Sequence, residues 1–182
     1  VLGDHVAQAG SHVSAERLRF DFSHFRAIED ADLRRVEEIV NRVVRQNLDV
    51  LKEQMDREAA VSRGAKAFFG EKYGESVRVV SVGDFSMELC GGTHVDRTGD
   101  IGFVRILSEA SVSSGVRRIE ALTGQAALRQ AQQDAHAIAT LSGMLNTAPD
   151  TLVERVETML EQARRSEKEL VRLQTALALH GL

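Results

Sequence analysis

The sequence predicts an α+β fold, a mostly antiparallel sheet with packed helices, followed by an antiparallel helical hairpin. Three observations predict it. The apolar pattern switches repeatedly between a period of two and a helical period in the first part of the chain. All the aromatic residues lie at or before Phe103, and twelve of the 14 glycines lie at or before Gly124. Beyond that point apolar residues recur at alternating steps of three and four. Turns and large core side chains therefore belong to residues 1–124, and residues 125–182 read as long helix.

The elements follow in order. Leu18, Phe20 and Phe22 alternate with Arg17, Arg19 and Asp21, the pattern of a half-buried strand. Residues 6–13 supply its hairpin partner, with Ser14-Ala15-Glu16 as the loop. Over 30–46 the period becomes helical: Leu33, Val36, Val40, Val43 and Val44 form one stripe, and Arg34, Arg35, Glu38, Arg42 and Arg45 face elsewhere. Asp30 is the expected N-cap, and Asp32 complements the first-turn dipole. A short strand over 49–54 and a short helix from about residue 56 come next. Further strands are expected over 77–82, 85–89, 103–109 and 116–122, with turn chemistry at Gly83-Asp84 and Arg97-Thr98-Gly99-Asp100.

In the tail, Leu152, Val156, Met159, Ala163, Ser166, Leu170, Leu173 and Leu177 are spaced 4, 3, 4, 3, 4, 3, 4. That is a coiled-coil seam with one polar break. Leu128, Ala131, Ala135, Ile138, Ser142 and Leu145 make a matching seam before it. The single proline, Pro149, suits the first turn of the second helix. Two such helices with a short connection are expected to fold back on one another, and an exposed seam offers a route to a homo-oligomer.

Composition bounds the function. The chain has 182 residues, a formal net charge of −4 and one cysteine. The charge argues against a general nucleic-acid coat but leaves room for a local basic patch. A lone cysteine excludes an internal disulfide framework and fits a reducing, cytoplasmic compartment. No apolar run is long enough for a membrane span, and no charged-then-apolar leader opens the chain. A start at Val1 rather than Met reads as a processed chain or one cut from something longer.

Cys90-Gly91-Gly92-Thr93-His94 is the sharpest chemical feature. A thiolate and an imidazole are both good zinc ligands. Four residues apart they reach one ion only if the chain turns back, which Gly91-Gly92 would permit through positive φ. A structural cysteine beside a loop histidine is the plain alternative. A nucleophile, Cys90 activated by His94, is another, ranked below metal binding because no third orienting group is marked. His5, His12 and His24 show neither HxxH nor HxxxH spacing, and His24 reads as a polar strand edge. The residues alone give half a zinc site.

Leu18-Arg19-Phe20-Asp21-Phe22-Ser23-His24, Phe69-Gly70-Glu71-Lys72-Tyr73-Gly74, Glu88-Leu89-Cys90-Gly91-Gly92-Thr93-His94 and Gly115-Val116-Arg117-Arg118-Ile119-Glu120 resemble, in order and approximate spacing, the editing domain of alanyl-tRNA synthetases. The resemblance covers residues 1 to about 124, and the tail resembles the helical linker that follows. It implies a class II synthetase editing domain in which zinc is held by Cys90, His94 and an HxxxH pair upstream of Val1, with residues 1–4 as the end of that helix. The chain would then be a fragment with two of four ligands, inactive by itself. The implied reaction hydrolyses tRNA(Ala) mischarged with serine or glycine; ATP and Mg2+ would serve only the ligase reaction of the full-length enzyme. A second sieve is needed because an alanine pocket excludes neither amino acid strongly.

By the same resemblance Gln8 lines the editing pocket and Thr93 donates its hydroxyl there. From sequence alone Gln8 reads as a surface strand residue, and Thr93 as a pocket hydroxyl or a turn cap. Adjacent strand residues face opposite ways, so Arg117 and Arg118 lie on different faces. Their partner is Glu120, Glu109 or a tRNA phosphate, and the resemblance directs Arg117 to the tRNA. Lys66, Lys72, Arg97 and Arg105 are weaker RNA candidates. A non-catalytic tRNA-binding or oligomerisation module, and a freestanding trans-editing deacylase, are the alternative readings; the related threonyl-tRNA synthetase editing domain does not share the helical tail.

Overall fold

The computed structural model describes residues 1–66 and 74–180. Phe68, Phe69 and the motif residues Gly70, Glu71, Lys72 and Tyr73 lie outside the described residues. The chain divides into two compact units, Val1–Arg129 and Gln130–Leu182.

The first unit holds two antiparallel sheets. Strands β1 (Gln8–Val13), β2 (Leu18–Ser23), β6 (Val104–Ser113) and β7 (Val116–Thr123) form one, in the order β1-β2-β7-β6. The β1–β2 hairpin turns where the sequence places its loop. Ser14 closes it: its hydroxyl accepts the Glu16 and Arg17 amides at 3.2 Å. Gly115, at φ 73°, makes the tight β6–β7 turn. Strands β3 (Val50–Asp56), β4 (Ser76–Val82) and β5 (Ser86–Leu89) form the second sheet, in that order.

Helix α1 (Asp30–Gln46) spans the expected residues, but its N-cap is Glu29 and not Asp30. Glu29 takes the extended cap position, with its carbonyl accepting the Asp32 and Leu33 amides, and Asp30 and Asp32 both fall in the first turn. The expected stripe points inward: Val43 and Val44 are buried and Leu33, Val36 and Val40 half-buried. Val44, Val104 and Ala121 form a core with Leu18, Val40, Ile101 and Ile106 packed against it. The helix also covers the outer edge of β6. Asn41 donates to the Val104 carbonyl at 2.8 Å and accepts the Val104 amide at 2.9 Å, and Glu37 accepts the Ile106 amide at 2.6 Å. Two side chains thus pair with strand groups that would otherwise face nothing.

Helix α2 (Arg57–Ser62) packs on the second sheet. Ala60, Ala65, Val77, Val79 and Leu89 form that core, flanked by Met55 and Met87. The chain after β5 returns to the start of β3: the Val50 amide donates to the Asp96 carbonyl and the Thr98 amide to the Leu48 carbonyl, each at 2.9 Å. Residues 90–95 are the loop this return creates. A 3-10 turn at Thr98–Ile101 follows, where turn chemistry is read in the sequence.

Helix α3 (Gly124–Leu145) begins in the first unit and continues into the second, which also holds helix α4 (Leu152–His180). Between them Asn146 adopts a left-handed conformation and Pro149 opens a 3-10 turn. The helices form as the spacing predicts. Their seams are covered only beside the connection, where Ser142 is buried and Leu145 and Leu152 half-buried; Ile138, Val156, Met159, Leu170, Leu173 and Leu177 are 39–73% exposed. Alternating apolar steps report which residues share a face; they do not report what covers that face.

Candidate metal and nucleic-acid site

Cys90 follows directly on β5, and the loop it opens carries Gly91, Gly92, Thr93 and His94. The loop is tied to the second sheet at its first residue, where the Cys90 amide donates to the Arg78 carbonyl at 3.1 Å. Arg78 answers with its side chain. Its Nε donates to the Cys90 carbonyl at 3.0 Å, and its Nη2 donates to the Gly92 carbonyl.

Within the loop the two predicted ligands converge. The position a Cβ on Gly92 would occupy lies 3.7 Å from Cys90 Sγ and 3.8 Å from His94 Cε1. His94 Nδ1 is buried and has no hydrogen-bond partner among the described residues. The residues present therefore fit a shared cation: the Cys90 thiol and the His94 ring both border the side-chain position that Gly92 leaves unfilled, and the ring carries a buried nitrogen without a partner. The reason for the glycines differs from the one the sequence suggests. Neither Gly91 nor Gly92 has positive φ; Gly92 matters because it leaves room between the two donors. Among the described residues no third His, Cys, Asp or Glu joins them.

The other histidines lie elsewhere. His24 is buried rather than a polar edge, and its Nδ1 pairs with His5 Nε2 at 2.9 Å. The two rings stack at 5.1 Å, and Phe25 stacks on His5. Residues 1–7 that lead into β1 contain a turn and no helix. Gln8 stands at the start of β1, half-buried, its amide donating to Ser11 Oγ at 3.4 Å. Thr93 is exposed in the ligand loop. Gln8 and the Cys90–His94 loop belong to different sheets, and no hydrogen bond joins them among the described residues.

Arg117 and Arg118 lie on opposite faces of β7, as strand geometry requires. Arg117 donates through Nε and Nη2 to the two carboxylate oxygens of Glu109, diagonally across β6–β7. Arg118 donates to Asp21 at 2.6 and 2.7 Å, directly across β2–β7. Each arginine, chiefly through this bond, holds its carboxyl partner below the usual carboxylate range, and each guanidinium is raised in turn. Glu109 is among the three partners open from sequence for this pair of arginines; Asp21 is not. Arg97 pairs with Asp49 and with the Asn47 carbonyl, and Arg105 pairs with Glu37. Lys72 lies outside the described residues.

Arg78 is the site residue that sequence reasoning misses. Its signal is modest: one cation in an otherwise uncharged run, Val77-Arg78-Val79-Val80-Ser81-Val82. What it holds becomes visible only when β4 and β5 pair.

Residues 77–120, which span this site and both arginines, match the family described as the threonyl and alanyl tRNA synthetase second additional domain. The alanine–tRNA ligase of Nitrosococcus oceani is 50% identical over 181 residues, covering 100% of this chain and 21% of that protein. That of Saccharophagus degradans is 51% identical over 179 residues, 98% of this chain and 20% of the other. That of Halorhodospira halophila is 51% identical over 178 residues, 98% and 21%. The chain spans about a fifth of the length of these curated relatives. With half of its residues shared along its whole length, and the second additional domain at its centre, the chain is a stretch of alanyl-tRNA synthetase sequence and belongs to that family.

Proposed function

We propose that this stretch is the zinc-dependent editing region of an alanine–tRNA ligase, which hydrolyses tRNA(Ala) mischarged with serine or glycine. The observation that carries the reading is that Cys90 Sγ and the His94 ring both border the side-chain position of Gly92, with His94 Nδ1 buried and unpartnered. Bound zinc would supply an electrophile for the ester bond being hydrolysed. The remaining work falls to the chain's own residues. Cys90 and His94 hold the metal. Thr93, exposed between them in sequence, offers a hydroxyl to the aminoacyl group, and the Gln8 amide orients water or the seryl hydroxyl. The ligase reaction, with its ATP and Mg2+, we assign to the other four fifths of such proteins, and we place the whole in the cytoplasm.

For the RNA, Arg117 and Arg118 have their Nε–Nη2 edges turned to carboxylates. Any phosphate contact falls to the N–H groups left over, two on Nη1 and the second on Nη2 of each. A phosphate-contacting arginine adds about 0.7–0.9 to the slope of log affinity against log salt.

The test is deacylation of Ser-tRNA(Ala) by the full-length ligase that contains this sequence. Cys90→Ala is expected to lose zinc and deacylation while aminoacylation persists. Arg117→Ala is expected to keep zinc and flatten the salt dependence of tRNA binding. Unchanged binding at every salt concentration, with a lower unfolding temperature, would assign Arg117 to the sheet alone.

A further inference from the structure

We propose that Arg78 is the positioning residue of this site: it fixes the Cys90–Gly92 loop so that Cys90 and His94 face a common ion. The inference rests on the metal reading above. Strand β5 ends at Leu89, so the carbonyls of Cys90 and Gly92 have left the ladder. The guanidinium takes both, through Nε and Nη2, while the Arg78 carbonyl holds the Cys90 amide. One residue of β4 thereby grips the loop on either side of Gly91.

Little else can order that step. Gly91 and Gly92 have no side chains, and nothing lies within 4 Å of the position of a Gly91 Cβ. Glycine has the widest backbone freedom of any residue, so a Gly-Gly step is set by its hydrogen bonds or not set at all. Arg78 is also free for the task. Arg17, Arg63, Arg97, Arg117 and Arg118 are each paired with a carboxylate, whereas no carboxylate among the described residues pairs with Arg78. Its neighbours Val77 and Val79 are buried in the second core, which pins the strand from which it reaches. A lysine there would keep the charge but not two N–H groups on one rigid edge.

The test is a cobalt titration of the 182-residue chain, read by thiolate-to-cobalt absorption. Cys90 is the single cysteine, so the band reports one sulfur. Arg78→Ala is expected to weaken cobalt binding about 10–100-fold, the usual loss for a partner that orients a ligand. Arg78→Lys is expected to fall with it, because the fork and not the charge is required. In the metal-free proteins, amide exchange should speed up over residues 90–94 in both variants and stay unchanged over β3, which distinguishes a loosened loop from a loosened sheet. Cobalt affinity unchanged in Arg78→Ala, or restored in Arg78→Lys, overturns the proposal while leaving the metal site standing. Failure of the parent chain to bind cobalt more tightly than Cys90→Ala, together with equal zinc content of the parent and Cys90→Ala forms of the full-length ligase that contains this sequence, overturns the metal reading, and the role of Arg78 with it.

Discussion

Three arginines use the same Nε–Nη2 edge of the guanidinium, but only two of them meet charge. Arg117 and Arg118 meet Glu109 and Asp21, and Arg78 meets two main-chain carbonyls. The side chains of Arg117 and Glu109 are 14% and 6% exposed, so removing either strands the other away from water. The depressed carboxyls set a direction for pH. A group whose folded pKa lies below its unfolded value stabilises above that unfolded value and loses the contribution as pH falls through the folded one. With reference values of 3.8 for Asp21 and 4.5 for Glu109, both contributions are whole at neutral pH and disappear in acid. Asp21→Asn should therefore lower the urea midpoint at pH 7 and match the parent once both carboxyls are protonated. A midpoint difference that persists unchanged into acid would mean that packing, not charge, holds this pair. Legibility at this scale depended on distance along the chain. Glu109 is eight residues from Arg117 on the adjoining strand of a readable hairpin, whereas Asp21 is 97 residues from Arg118 and meets it only through the β2–β7 register.

At the scale of elements, periodicity carried most of the information. The alternation of Leu18, Phe20 and Phe22 and the stripe ending at Val43 and Val44 located β2 and α1, although only α1 buries one clear face; in β2 Phe22 is buried and both faces are otherwise half-buried. Asn41 shows what that pattern leaves out. It sits among the apolar positions of α1 yet is buried, because it completes the hydrogen bonding of Val104 on the edge of β6. Replacing it with leucine keeps the volume and leaves a buried N–H and C=O unpaired. Asn41→Leu should cost about 1–3 kcal/mol in urea unfolding, and no cost would show that water reaches this edge. Leu89, fully buried at the end of β5, anchors the second core one residue before the ligand loop. Leu89→Ala should cost about 2–5 kcal/mol by the same measurement. Gly92 offers a finer probe. Its backbone conformation suits alanine and the added Cβ meets ordinary contact distances. Gly92→Ala should thus leave the unfolding midpoint nearly unchanged while filling the space between the two donors and weakening cobalt binding.

At the scale of the whole molecule, the divide falls at Arg129 rather than at the last clustered glycine. Composition located the change from turns to helix at Gly124, where α3 does begin. The first turn of α3 nevertheless belongs to the front unit: the Gly124 amide donates to the Phe103 carbonyl at 2.8 Å and Ala127 is completely buried. Residues 1–129 expressed alone should unfold cooperatively, and residues 1–124 should be less stable by an amount visible in the thermal midpoint. Equal midpoints would show that Ala127 contributes nothing to the front core. The candidate site was only half legible for a related reason. The sequence places Cys90 and His94 four apart, but the space that Gly92 leaves and the grip of Arg78 depend on where β4 and β5 put the loop. The most direct test of the central claim is zinc K-edge X-ray absorption on the zinc-loaded chain. The account predicts one sulfur at about 2.3 Å, from Cys90, with a nitrogen shell at about 2.0–2.1 Å that loses one scatterer in His94→Ala. A shell of oxygen and nitrogen alone, or one unaltered by Cys90→Ala, would contradict it.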